Sequence, residues 1–155
     1  MRTPTIGFEE DTTLAQGDIA LQQLCEAISL FTERKFLPAL TLAGAAEEIF
    51  GKLLVRQSKQ PVVKESAQSM LALREKFGLT ALQGETEKSI IDQWNVARNA
   101  SKHLVAAEGK RITMNLCDEA YWMIKRALHN AESLGISVTN KIEFENWFIL
   151  NIGLA

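Results

Sequence analysis

Histidine and cysteine are both scarce in this sequence, with two of each: His103 and His129, Cys25 and Cys117. Two histidines without clustered ligands around them speak against a metal site, and none is expected. Both cysteines fall on apolar stripes of predicted helices. They read as small buried hydrophobes in a reducing compartment, not as a disulfide framework or zinc site. No apolar run approaches the roughly 18 residues of a membrane span. The opening MRTPTIGFEEDTTL carries acids where a signal peptide needs an apolar core, so a cytoplasmic protein without membrane attachment is expected. A Gly-rich phosphate loop is missing, and no serine or cysteine sits in a recognisable nucleophile setting; no cofactor is expected. Excess positive charge is missing too. The formal net charge is −2, so any binding to nucleic acid must rest on a local patch.

What the chain does have is helical periodicity, while no stretch alternates as a strand. Its three prolines each lie before or at the start of a helical pattern. A first helix is expected from about Thr12 or Thr13 to Lys35, capped by Asp11 or Thr12, with Leu14, Leu21, Leu24, Cys25 and Ile28 inward. Pro38 opens a second, whose core face is Ala39, Leu42, Ala43, Ala46, Ile49, Phe50 and Leu53. Gly44 and Gly51 lie a heptad apart on its flank, where another backbone could approach. A third follows Pro61 and stops at Gly78. The fourth runs from about Glu85 to Leu104, before the polar AAEGKR turn. The fifth, about Thr113 to Leu134, has Leu116, Ala120, Met123, Ala127 and Ala131 in register and ends at Gly135. Asn140 caps a short last helix, KIEFENWFILN. The expectation is one all-α domain over residues 1–155, an antiparallel bundle of five or six helices. Its core spans about 14–134, and 140–155 form a C-terminal helical extension.

WNVARNASKHL, Trp94 to Leu104, carries the chemistry. An arginine is a permanently charged fork suited to phosphate, and a histidine exchanges protons near neutrality. Together they suit metal-free RNA cleavage: one group moves the proton of the 2′-hydroxyl or the leaving oxygen, and the cation steadies the phosphorane. DNA lacks that nucleophile. Asn99 is placed to hold a phosphate oxygen or orient the imidazole. The spacing alone is weak, since about one sequence in four of this composition would match by chance. On an ideal helix, residues five apart also diverge by about 140°. Arg98 and His103 therefore converge only if the helix loosens near Leu104, if the arginine reaches round, or if a second protomer completes the site. An ordinary solvated helix face is the competing reading.

The pairing of ARNASKHL on one helix with ALTLAGAAEEIFGKLL on an earlier one resembles the HEPN superfamily (higher eukaryotes and prokaryotes nucleotide-binding). Arg98, Asn99 and His103 match that family's arginine, following polar residue and histidine in order and spacing. The resemblance covers about Leu14 to Leu134. It implies a small all-α bundle in which two protomers face their motifs across one cleft. Many members are metal-independent endoribonucleases of toxin–antitoxin, phage-defence or RNA-processing systems; others have no demonstrated catalysis. A homodimer that binds and cleaves RNA, with an antitoxin protein as a further partner, is the reading so implied. Arg98, His103 and Asn99 would be its catalytic residues, with Glu47 and Lys102 in support. The alternative is a non-catalytic module that binds a protein or a nucleotide-like ligand.

Glu47 lies at the margin of the second helix's apolar face, while Glu48 points outward with Lys52. A half-buried glutamate needs a partner, and Arg98 occupies the matching margin of its own helix. An ion pair between them is expected, against the alternative that both reach solvent. Because neither Arg98 nor His103 points into the centre of the expected core, alanine at either position should cost little stability. His129 reads as a surface residue, GFEED as a solvated arm, and Trp94, Trp122 and Trp147 as core or interface residues. The segment FENWFILNIGLA is too apolar to stay exposed, so it must cover its own bundle or a partner.

Overall fold

The computed structural model describes residues 7–103 and 111–153; among them are seven α-helices and no strand. They are α1 (Gln16–Thr32), α2 (Phe36–Arg56), α3 (Val62–Phe77), α4 (Glu87–Trp94), α5 (Val96–Lys102), α6 (Leu116–Ser133) and α7 (Lys141–Phe148). A 3-10 turn, Thr80–Leu82, leads from α3 towards α4, and a π-type turn, Ile149–Gly153, continues α7. None of the described helices is long and apolar enough to cross a membrane.

α2 is the central helix and packs along both α1 and α6. Alanine makes this possible: Ala20 and Ala27 of α1, Ala39, Ala43 and Ala46 of α2, and Ala120, Ala127 and Ala131 of α6 are all fully buried. Small side chains on facing ridges let helix axes approach closely. Larger residues fill the remaining space of the core, notably Leu24, Ile28, Phe31, Phe50 and Ile124. The expected stripes of α2 and α6 are inward, with Leu42, Ile49, Leu53 and Cys117 partly buried at their margins.

The C-terminal segment folds back over its own bundle in part. Phe144 is buried, and its ring meets Phe31 edge-on at 5.3 Å. Trp147 meets Phe31 at 4.7 Å, and Phe148 stacks on Tyr121 at 4.7 Å. Ile142, Ile149, Leu150 and Ile152 remain exposed.

Several boundaries differ from the sequence expectation. α1 begins at Gln16 after Ala15, which makes no side-chain cap, so neither Asp11 nor Thr12 caps it and Leu14 lies exposed before the helix. It stops at Thr32, short of Lys35, because Arg34 adopts a left-handed φ of 63° and the Lys35 N–H donates back to the Leu30 carbonyl at 2.8 Å. That is a Schellman stop with arginine in the position glycine usually marks. α2 begins at Phe36, with Pro38 inside its first turn. α6 starts later than expected, at Leu116, because the Asn115 side chain accepts from the Cys117 and Asp118 N–H groups. Asn140 takes the expected N-cap position of α7 but makes no side-chain cap; its amide instead donates to the Cys25 carbonyl at 2.8 Å and ties α7 to α1. The expected fourth helix is two helices, parted at Asn95, which brings the count to seven. Of the AAEGKR turn, 106–111, only Arg111 lies within the described residues, and Leu104 lies outside them.

Candidate functional site

Asn95 sits at the break between α4 and α5 with φ −99° and ψ −1°. It is nearly buried, and its Oδ1 accepts a hydrogen bond from Arg126 Nη2 of α6 at 3.0 Å. The same Nη2 donates to Glu47 Oε1 of α2 at 2.8 Å. From the other side, Arg98 Nη1 of α5 donates to Glu47 Oε2 at 3.1 Å. One carboxylate, only 4% exposed, thus lies between two guanidinium groups that are 16% and 13% exposed. Burying a lone carboxylate would be prohibitive; here it is doubly compensated, and the cluster keeps one net positive charge. The expected Glu47–Arg98 ion pair is present, with Arg126 as a second partner that the sequence reading did not include.

Arg98 reaches Glu47 because Gly44 clears its path. A Cβ at Gly44 would lie 2.6 Å from Arg98 Cγ and 3.0 Å from Cδ. The flank of α2 therefore receives an arginine stem, not a second backbone. At Gly51 the neighbours are Pro61 and the Asn130 amide. Arg98 Nε and Nη2 also donate to Asn99 Oδ1, at 3.4 and 3.3 Å. These bonds engage three of the five N–H groups of a guanidinium. Two remain open among the described residues.

α5 ends at Lys102, so the motif's histidine is not on the helix. His103 is exposed, its backbone is extended (φ −134°, ψ 148°), and its N–H donates to the Asn99 carbonyl at 2.9 Å. That N–H still makes a helical bond four residues back, so the His103 Cα keeps its place on the α5 spiral. Among the described residues no hydrogen bond joins its imidazole to Arg98. Lys102 lies 3.6 Å from Glu48, which also accepts from Lys52 at 2.7 Å. The Lys52 hydrogen bond, aided by the charges of Lys52, Lys102 and Arg98, holds the Glu48 carboxyl below its usual range against the opposing effect of burial. His129 is exposed. Trp147 is partly buried in the core cluster, while Trp122 is 63% exposed and Trp94 36%, which leaves the interface half of the core-or-interface expectation for these two.

Sequence reasoning missed Arg126, Asn95 and Asn130. Asn130 is fully buried on α6, accepting from the Val62 N–H at 3.0 Å and donating to the Glu47 carbonyl at 3.5 Å. A signal for Arg126 existed: it stands beside Ala127 at the margin of α6's apolar stripe, as Glu47 does on α2. Among the described residues, no group of three or more His, Cys, Asp or Glu side chains could hold a metal ion. Comparison of the chain with protein-family models, curated protein sequences and solved structures finds no match.

Proposed function

We propose that this chain is a HEPN-like RNA-binding protein that cleaves RNA without a metal ion, using Arg98, Asn99 and His103. The observation that carries the reading is a fixed Arg98 guanidinium with two open N–H groups, close in the chain to an exposed histidine just past the helix end. In this mechanism Arg98 binds the scissile phosphate and offsets charge developing on the phosphorane. His103 takes the 2′-hydroxyl proton or delivers one to the leaving oxygen. Asn99 keeps the guanidinium in place, and Glu47 fixes it from beneath. Lys102 adds a second cation, shared with Glu48. Two protomers meeting at this end of α5 would bring both motifs into one groove and supply the positive charge that a single chain of net charge −2 lacks. An antitoxin protein would act by covering that groove.

One observation favours a second reading, a non-catalytic module that binds a protein or nucleotide-like ligand. Arg98 is largely buried and most of its donors face Glu47 and Asn99, as they would in a purely structural strut. The deciding experiment is incubation of the purified protein with mixed RNAs in EDTA, beside His103→Ala. Cleavage by the parent that leaves 2′,3′-cyclic phosphate ends and is lost in the variant supports the enzyme. Metal-dependent cleavage with 5′-phosphate products overturns the mechanism, and an inert parent favours the second reading. Sedimentation at micromolar concentration tests the dimer, and a monodisperse monomer counts against it.

A further inference from the structure

A groove of about 420 Å³ opens between α3, α4 and α6. Trp94 and Trp122 stand in its wall, 36% and 63% exposed. Tyr121 packs edge-on against the Trp122 ring, with centroids 5.2 Å apart, which steadies that indole. Two indoles left partly exposed on one concave surface are unusual for a side chain that gains so much by burial. They share the groove with Asp118 and Glu119. Asp118, in the first turn of α6, is accounted for by the helix dipole. Glu119 is half-buried, and among the described residues neither carboxylate has an ion-pair partner within 4 Å. Burial first, and then the charge of Asp118, push the Glu119 carboxyl above its usual range, opposed by Arg126. Arg126 also lines the groove; it shares Glu47 with Arg98, so its charge is only partly met there, and the rest offsets part of the two carboxylates.

The lining selects its ligand by charge. A phosphate would face two carboxylates against one guanidinium that already shares Glu47 with Arg98. A neutral hydrophobe would desolvate Glu119 without compensating it. A cation with an apolar surface satisfies both the carboxylates and the indole faces, whose π-clouds attract positive charge. We propose that this groove binds a small free organic cation, its alkylated ammonium group seated against Trp94 and Trp122 with Glu119 and Asp118 as counter-charges. The volume suits a whole small molecule. The proposal is independent of RNA cleavage, since neither Arg98 nor His103 lines the groove.

The probe is choline, compared with its neutral carbon isostere dimethylbutanol at constant ionic strength, followed through the three indole N–H resonances in NMR. The expected result is saturable movement of the Trp94 and Trp122 signals while Trp147 stays still, with choline bound at least about fivefold tighter than the isostere. Trp122→Leu and Glu119→Gln should each weaken choline binding by about fivefold or more. Trp122 is mostly exposed and glutamine keeps the shape of glutamate, so both variants should fold; unchanged far-UV circular dichroism checks this. Equal binding of choline and the isostere, no saturable shift, or unaltered affinity in both variants would overturn the proposal.

Discussion

Gly44 of α2 lies directly beneath the aliphatic stem of Arg98, so close that a Cβ there would come within 2.6 Å of Arg98 Cγ. Alanine in the middle of a helix normally stabilises by about 0.5–1 kcal/mol relative to glycine. Here the methyl group would push the stem aside and part Arg98 from Glu47. Gly44→Ala is therefore expected to destabilise by about 1–2 kcal/mol in urea unfolding. In an Arg98→Ala background the obstacle is gone, and the same change should stabilise by about 0.5–1 kcal/mol. Equal effects in the two backgrounds would show that the stem does not constrain position 44.

Glu47 holds two arginines, and removing the shared centre should be worse than removing either arm. Glu47→Ala leaves two largely buried guanidinium groups facing each other, and a loss of about 3–5 kcal/mol is expected. Arg98→Ala leaves Glu47 paired with Arg126 and should cost about 1–3 kcal/mol. This revises the sequence expectation for Arg98, whose side chain is mostly buried and ion-paired. His103 is exposed, and His103→Ala should stay within about 0.5 kcal/mol of the parent. The check is chemical denaturation of all three variants; an Arg98→Ala loss larger than that of Glu47→Ala would contradict this ordering.

What the sequence made legible was local. The periodic stripes of α2 and α6, and the glycine stops at Gly78 and Gly135, both at positive φ, follow from residue pattern alone. Glu47 and Arg98 could be paired because each sits at the margin of an apolar face. The misses depend on partners distant in the chain or on conformations without a residue signature. Arg34 and Ser58 take the left-handed positions after α1 and α2 where glycine would have announced the turn. The break at Asn95 coincides with a hydrogen bond from Arg126, 31 residues further on, which no window of periodicity contains. The exposure of Trp122, by contrast, was legible: it lies opposite the stripe of Ala120, Met123, Ala127 and Ala131 on α6.

The pH dependence of stability should carry the mark of Glu119. Its folded pKa is raised, chiefly by burial, with Asp118 adding and Arg126 opposing. The native state therefore holds this proton more readily than the unfolded chain. Stability from this group is highest below the unfolded carboxylate pKa and declines as pH rises through the folded value. Glu119→Gln should remove that slope and raise the melting temperature near neutral pH relative to the parent. A melting temperature lowered at neutral pH and unchanged in acid would mean that the carboxylate is stabilised by a partner.

Asn130 is expected to govern the attachment of α3. That helix buries only Ala67 among its own residues, and its first N–H, on Val62, has no capping side chain from the preceding chain. An orphan N–H at a helix start needs an acceptor. Asn130 Oδ1 provides it from α6 at 3.0 Å, while Nδ2 reaches the Glu47 carbonyl of α2 at 3.5 Å. One fully buried amide thus joins three helices. Asn130→Ala leaves a donor and an acceptor unsatisfied and opens a small void, so a loss of about 2–4 kcal/mol is expected. Asn130→Leu fills the void but satisfies neither group and should recover only part of it. Asn130→Asp keeps the acceptor for Val62, yet sets a charge beside the Glu47 carbonyl and gives up the donor. Amide hydrogen exchange distinguishes an attachment role from general core loss. In Asn130→Ala, exchange in 62–77 should accelerate well before that of α2 and α6. Uniform acceleration across all helices would mean that α3 is held by its other contacts, among them Gln68 to Glu87 and Arg74 to the Leu82 and Glu85 carbonyls.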